Sequence, residues 1–142
     1  MADVTVTAGD VRPLPGYLSQ RFDAGGTIYT GQSVYIAADG NVEQSDCDAG
    51  SLEAQSIGIM VADNTGATIA TSGDRVDVVM FGPVTGYSSM TPGALVFAST
   101  TAGALVQGTP SAGSHVVPVG MAINANTIFI NPSRPTPYVV KA

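Results

Sequence analysis

The chain has 142 residues, 44% of them apolar and only 11% charged, and eleven Asp and Glu against five Lys and Arg give a net charge of −6. That length suits one domain, able to bury about 68–70% of the surface its unfolded chain exposes. The scattered basic residues exclude the cationic stripe of a nucleic-acid binder, no apolar run reaches the ~20 residues of a membrane-spanning helix, and Cys47, alone, leaves no intramolecular disulfide.

Residues Met1 to Thr7 lack the basic start and apolar stretch of a signal peptide, so a soluble, non-secreted protein is expected. Ala2 to Thr7 sets Val4 and Val6 against Asp3, Thr5 and Thr7, the period-two pattern of a strand with one apolar face. No hairpin partner follows before Pro13 and Pro15, so this strand is either an edge or an arm that pairs elsewhere. A further strand is expected from Tyr17 to Phe22, and Asp23 to Gly26 turns the chain into Thr27 to Tyr29.

Val34 to Ala37 and Gly40 to Glu43 form a hairpin, and Gln44 to Gln55 is a polar loop whose helical hint, Ser51 to Ser56, is at most a turn or two. Ile57 to Ala62 is a dense apolar strand, and Thr68 to Ala70 follows a turn at Asn64 to Gly66. Val76 to Phe81 carries the strongest strand pattern, with Gly82 and Pro83 interrupting it in favour of a bulge or an edge. Val84 to Tyr87 continues its direction; Leu95 to Ala98 with Ala104 to Gln107, then His115 to Ile123 with Thr127 to Asn131, complete the strands. From Pro132 to Ala142 three prolines in six residues predict an extended tail with an apolar tip.

One phrase recurs. Gly31 to Ala37 returns as Gly93 to Ser99, and Ile57-Gly58-Ile59-Met60 returns as Val119-Gly120-Met121-Ala122; both matches share an offset of sixty-two residues. Two anchors in one register make a duplicated β-unit, about 31–62 and 93–124. The fold class expected is therefore all-β: a small single-domain barrel or sandwich over 17–131 with an internal hairpin repeat, an N-terminal arm over 1–16 and a Pro-rich C-terminal tail over 132–142.

Chemistry is sparse. His115, the only histidine, starts a strand with no partner displayed beside it, and Gly86-Tyr87-Ser88-Ser89-Met90 lacks the closing glycine and following helix of a nucleophile elbow. Asp46, Asp48 and Glu53 have the flavour of a calcium loop, but the other ligand positions do not match and a flexible acidic loop is the plainer reading. Cys47 between two carboxylates is expected to have a raised thiol pKa, which argues against a nucleophile. The five tyrosines show no interleaving with basic residues. No enzyme, no metal and no cofactor is expected.

Several phrases together carry a family likeness: Gly73-Asp74-Arg75-Val76-Asp77-Val78, Phe81 to Gly86, Pro92-Gly93-Ala94-Leu95-Val96-Phe97, Ala102-Gly103-Ala104, a Ser/Thr/Gly loop, then Val119 to Ile123. In these the chain resembles the small capsid cement, or head decoration, proteins of tailed bacteriophages, over roughly Thr30 to Ile130. The resemblance implies a β-rich homotrimer on the outer capsid surface at threefold and quasi-threefold positions, with the major capsid protein as partner and a terminal arm adding a strand to it. The expected partner-binding residues are Val4, Val6, Val11 and Arg12 on the arm, and Tyr138 and Val139 on the tail. No nucleic acid and no membrane partner is expected. The alternative is a carbohydrate-binding or host-attachment module on the virion surface, for which Tyr29, Tyr87 or Tyr138 would form an exposed platform.

Overall fold

The computed structural model describes residues 2–132 and 140–141. The chain is nearly all β and is built on a curled antiparallel half-barrel sheet. The first elements are short: β1 (Thr5–Val6), a 3-10 turn (Ala8–Asp10) and β2 (Arg12–Pro13), then β3 (Leu18–Asp23) and β4 (Ile28–Tyr29). The first repeat unit supplies β5 (Ser33–Ile36), β6 (Val42–Gln44) and β7 (Gly58–Asp63). Between the units lie β8 (Ile69–Ala70), the long β9 (Arg75–Thr85) and β10 (Tyr87–Ser88); the second unit supplies β11 (Leu95–Ala98), β12 (Leu105–Gln107) and β13 (Pro118–Ala122), and β14 (Thr127–Ile130) follows it.

The main sheet runs β12-β11-β13-β14-β9-β7-β5-β6, so the two units lie on either side of the β9–β14 junction in mirrored order. Their registers match the sequence repeat. Val34 faces Gly58 and Ser33 faces Ile59 in the first unit, while Val96 faces Gly120 and Leu95 faces Met121 in the second. Both glycines are required by close approach, because a Cβ on Gly58 would overlap the Val79 carbonyl oxygen and one on Gly120 the Phe129 carbonyl oxygen. Each permits a neighbouring backbone to lie where any side chain would stand.

The expected interruption at Gly82 and Pro83 does not end the strand. β9 passes through both residues to Thr85, with Gly82 at φ 114°, and the Pro83 carbonyl accepts from the Leu14 amide at 2.9 Å. Its first half is paired with β3 and β7, its second with β2 and β14, so β9 belongs to both halves of the curled sheet. A bulge does occur nearby: the register against β3 passes from Phe81 to Val79 and leaves Met80 out.

Two apolar clusters follow from this geometry. Ile59, Val61 and Val79 from the first half of the sheet join Val96, Val119, Ile128 and Ile130 from the second in the main core. On the opposite face of the first half, Val34, Met60, Val76 and Val78 pack with Ile28 and Ala70 of a separate two-stranded ribbon, β4 with β8. Alternation along β7 sends Ile59 and Val61 one way and Met60 the other. The result is a stack of ribbon, first half-sheet and second half-sheet. Residues 51–54 form turns and no helix: the Ala54 amide donates to the Gly50 carbonyl and the Gln55 amide to the Leu52 carbonyl, each at 3.1 Å.

Candidate interaction surface

The N-terminal segment lies against its own domain. Thr5 and Val6 of β1 pair with Ser88 and Tyr87 of β10, the Val4 amide donates to the Leu105 carbonyl at 2.7 Å, and the Thr7 amide donates to the Gly86 carbonyl at 2.9 Å. Asp3 bridges to Val106, and its carboxylate accepts a hydrogen bond from the Ser99 hydroxyl. The strand thus forms a separate two-stranded sheet with β10, its partners about eighty to one hundred residues away along the chain.

The six expected partner-binding residues separate. Val6 is 37% exposed and Arg12 is exposed, but Val4 is half-buried and Val11 is buried in the main core, seated so closely over Gly86 that a Cβ there would meet it. Arg12 and Pro13 pair with Thr85 and Val84 as part of the sheet. The segment is therefore held by short pairings up to about Thr7, with Val4 packed against the main core and Val6 over Gly31, and is integral to the sheet from Val11 onward. Thr7, Asp10, Arg12, Thr85 and Asn126 line an open polar hollow at this junction. Tyr138 and Val139 lie outside the described residues; beyond them Val140 bridges to His115, and the Lys141 amide donates to the Ser114 carbonyl at 2.9 Å.

A second surface was not singled out from the sequence. Leu95 faces Met121, Met121 faces Phe129, the Phe129 ring meets Phe81 edge to face at a centroid distance of 5.0 Å, and Phe81 faces Leu18. Cross-strand neighbours of this kind touch along one face of a sheet. Four of the five are exposed, Leu18 most of all at 66%, so they form one apolar row that runs from the outer face of the second half-sheet across β9 onto β3. The signal that could have found it is the repeat: an offset of sixty-two places Leu95 on Ser33 and Met121 on Ile59, two positions that are fully buried in the first unit.

The titratable groups are dispersed. The His115 amide donates to the Cys47 carbonyl at 2.8 Å and its ring Nδ1 stands 3.2 Å from the same oxygen, an arrangement that orients the ring against backbone. Cys47 is wholly buried; burial, more than the neighbouring carboxylates, pushes its thiol above the ordinary value. Asp46 is pushed up to about 6 by burial first and then by its hydrogen bond with, and the charge of, Asp48. Among the described residues no three His, Cys, Asp or Glu side chains gather to hold a metal ion, and no helix is long and apolar enough to cross a membrane.

Tyr87 cannot serve in a sugar platform: it is 4% exposed and its hydroxyl donates to the Gly31 carbonyl at 2.8 Å. Burial raises its phenol above the ordinary value. Tyr29 is exposed, but its cross-strand partner is Ile69. Comparison of the sequence with protein-family models and with curated proteins finds no match.

Proposed function

We propose that the chain is a structural decoration protein that binds the outer surface of a phage capsid and stabilises the shell, with the major capsid protein as partner and a homotrimer as the working unit. The observation that carries this reading is the first strand. It is two residues long, exposed on both, and joined at the margin of the domain by short pairings, while the chain just beyond it is anchored by the buried Val11. Such a strand can exchange its pairing for the edge of a partner's sheet, where backbone hydrogen bonds supply affinity without a pocket. An acidic, charge-poor domain suits an external position, away from packaged nucleic acid. Many copies on one shell make each contact count through avidity.

Deleting residues 2–6 tests this. The shortened protein is expected to keep its circular dichroism spectrum and cooperative melt, because Val11 and β2 remain, and to lose co-sedimentation with shells assembled from the capsid protein. Unchanged binding to shells would overturn the strand-exchange reading.

A further inference from the structure

The sheet closes two of its edges with its own chain and leaves a third open. At β12 the Val4 amide donates to the Leu105 carbonyl and Asp3 bridges to Val106; at β6, Ala24 bridges to Val42 and the Gly25 amide donates to the Val42 carbonyl at 2.8 Å. β3 has β9 on one side and, among the described residues, no strand on the other. All of its six residues except Phe22 are exposed. We propose that this edge receives an extended segment of another protein, antiparallel to β3, in which a basic and an acidic residue flank an apolar one.

Along an antiparallel ladder, residues alternately turn both backbone groups towards the neighbouring strand and away from it. The Ala24 amide donates to the Asp74 carbonyl at 2.7 Å, which continues the β3–β9 register by one step, so Phe22 and Gln20 bond to β9 while Ser19, Arg21 and Asp23 turn N–H and C=O outward. The far side of β9 agrees: the Arg75 carbonyl, opposite Asp23, accepts from the Asn64 amide at 2.9 Å, next to β7. Ser19, Arg21 and Asp23 thus each offer an incoming strand a donor and an acceptor. This edge holds no proline and no lysine, and its bulge lies at the Leu18 end, so the usual devices that blunt an edge leave 19–23 open.

The side chains select the occupant. Arg21 Nε lies 3.1 Å from the Asp77 carboxylate and Arg75 Nε 3.4 Å from that of Asp23, so charge alternates along β3 and across to β9. A further strand continues the pattern with an acid opposite Arg21 and a base opposite Asp23, cross-strand pairs that favour one arrangement and penalise the reverse. Between them Phe22 packs against the second cluster and stays half-buried, so the residue opposite it is apolar. From its N-terminus, the antiparallel occupant therefore reads base, apolar, acid.

A second copy of β3 carries Arg-Phe-Asp in that order but fits less of the edge. The register that sets Arg21 on Asp23 overlaps residues 21–23 alone, because Ala24 is wholly buried and the chain beyond it is bonded to β6. Longer overlaps that keep outward residues opposite one another set Arg21 on Arg21 or on Ser19. A segment free of such a domain follows all of β3 as far as Leu18, the exposed end of the apolar row.

In the proposed function this chain gives a strand; here it receives one, and neither capsid nor trimer is needed. The probe is a capped peptide, Thr-Lys-Val-Glu-Val-Thr-Val, set against its charge-swapped twin, Thr-Glu-Val-Lys-Val-Thr-Val. Each is titrated to ~2 mM, the range of a weak single-strand contact, into the full chain, with amide hydrogen exchange read by NMR. The first peptide is expected to slow exchange at Ser19, Arg21 and Asp23 and to bind roughly 3–10-fold more tightly than its twin, the size of two exposed cross-strand charge pairs. Exchanging the signs within the sheet (Arg21→Asp with Asp77→Arg, Asp23→Arg with Arg75→Asp) keeps both ion pairs and is expected to reverse the preference; should that variant fail to fold, the two peptides on the wild type decide. No slowing by either peptide, equal slowing by both, or slowing that grows with protein concentration before any peptide is added, the mark of a second copy, each overturns the assignment. None of these outcomes touches strand donation by β1, which pairs with β10 in a separate sheet and is tested by shell binding of the chain lacking residues 2–6.

Discussion

The two repeat units share strand order and register, yet they live in different surroundings. The first half-sheet is covered twice, by the β4–β8 ribbon on one face and by the second half-sheet on the other; the second half-sheet is covered once. The same local instructions, a hairpin followed by a strand with a central glycine, therefore produce a buried layer in one unit and a surface in the other. What differs is the chain between and around the units, which brings a ribbon to the first and, among the described residues, nothing comparable to the second. Duplication has made a scaffold, and the asymmetry of its covering has left an exposed apolar row on the second unit.

The largest effect tests what the units share. Gly58→Ala and Gly120→Ala each drive a methyl into a neighbouring carbonyl, and each is expected to lose 3 kcal/mol or more in urea unfolding, about the loss seen when core strain cannot relax. Gly58 also holds φ 148°, so Gly58→Ala is expected to be worse by about 1 kcal/mol. Equal, small losses would mean that the close approach at these positions is not what aligns the strands.

The next test separates the units. Ile59→Ala empties a fully buried site and is expected to cost about 3 kcal/mol, within the usual range for such truncations. Met121→Ala, at the equivalent position, is expected to change stability by less than ~0.5 kcal/mol where the chain is dilute enough to be monomeric. A Met121→Ala loss approaching that of Ile59→Ala would show that the outer row is covered by the chain itself.

Much of this was legible before the fold. Turn signals and dense apolar runs located β5, β6, β7, β11 and β12 to within a residue or two, and the sixty-two-residue offset read from the sequence reappears in the registers Val34 to Gly58 and Val96 to Gly120. Other features were hidden for physical reasons. Two-residue strands such as β4 and β8 are too short to show a period, and the partners of β1 lie far along the chain. Gly82 and Pro83 read as a break, yet glycine at positive φ lets β9 bend and continue. Tyr87 read as a possible platform because nothing local announces that its hydroxyl meets Gly31. Above all, alternation states that Leu95, Met121 and Phe129 share a face, but which face is buried depends on the next layer, and that is a property of the whole fold.

Smaller effects probe the join between the parts. The Tyr87 hydroxyl ties β10 to Gly31 at the start of the first unit, so Tyr87→Phe leaves a buried carbonyl short of a donor and is expected to cost about 1 kcal/mol. If the loss is instead within error, the N-terminal strand and not this bond holds the two together.

The smallest expected effect concerns the loops that follow each hairpin. The first carries Asp46, Asp48 and Glu53, whereas 108–117 in the second has no carboxylate, so of the two loops only the first has carboxylates to titrate. Asp46 is held at about 6 against an ordinary 3.8, by burial and then by Asp48. Between those values the folded state keeps a proton that the unfolded state has released, so stability rises as pH falls from 7 towards 4.5 and falls again as pH rises through 6. Because the side chain is only partly buried, the gain is expected to stay under about 1 kcal/mol. Asp63 does not confuse this window: burial acts to raise its pKa, but the hydrogen bonds from Thr65, Ala67 and Gly66 outweigh it and hold the carboxyl below its ordinary value, so its contribution is present throughout and is lost only in stronger acid. Urea midpoints of the wild type and Asp46→Asn at pH 7 and pH 5 read the effect of Asp46 together with its coupling to Asp48, since groups distant from this loop cancel in the difference. The wild type is expected to gain on acidification relative to the variant; parallel pH profiles would mean that the acidic loop is open to solvent in both states, and that covering, not charge, is the only thing that tells the two units apart.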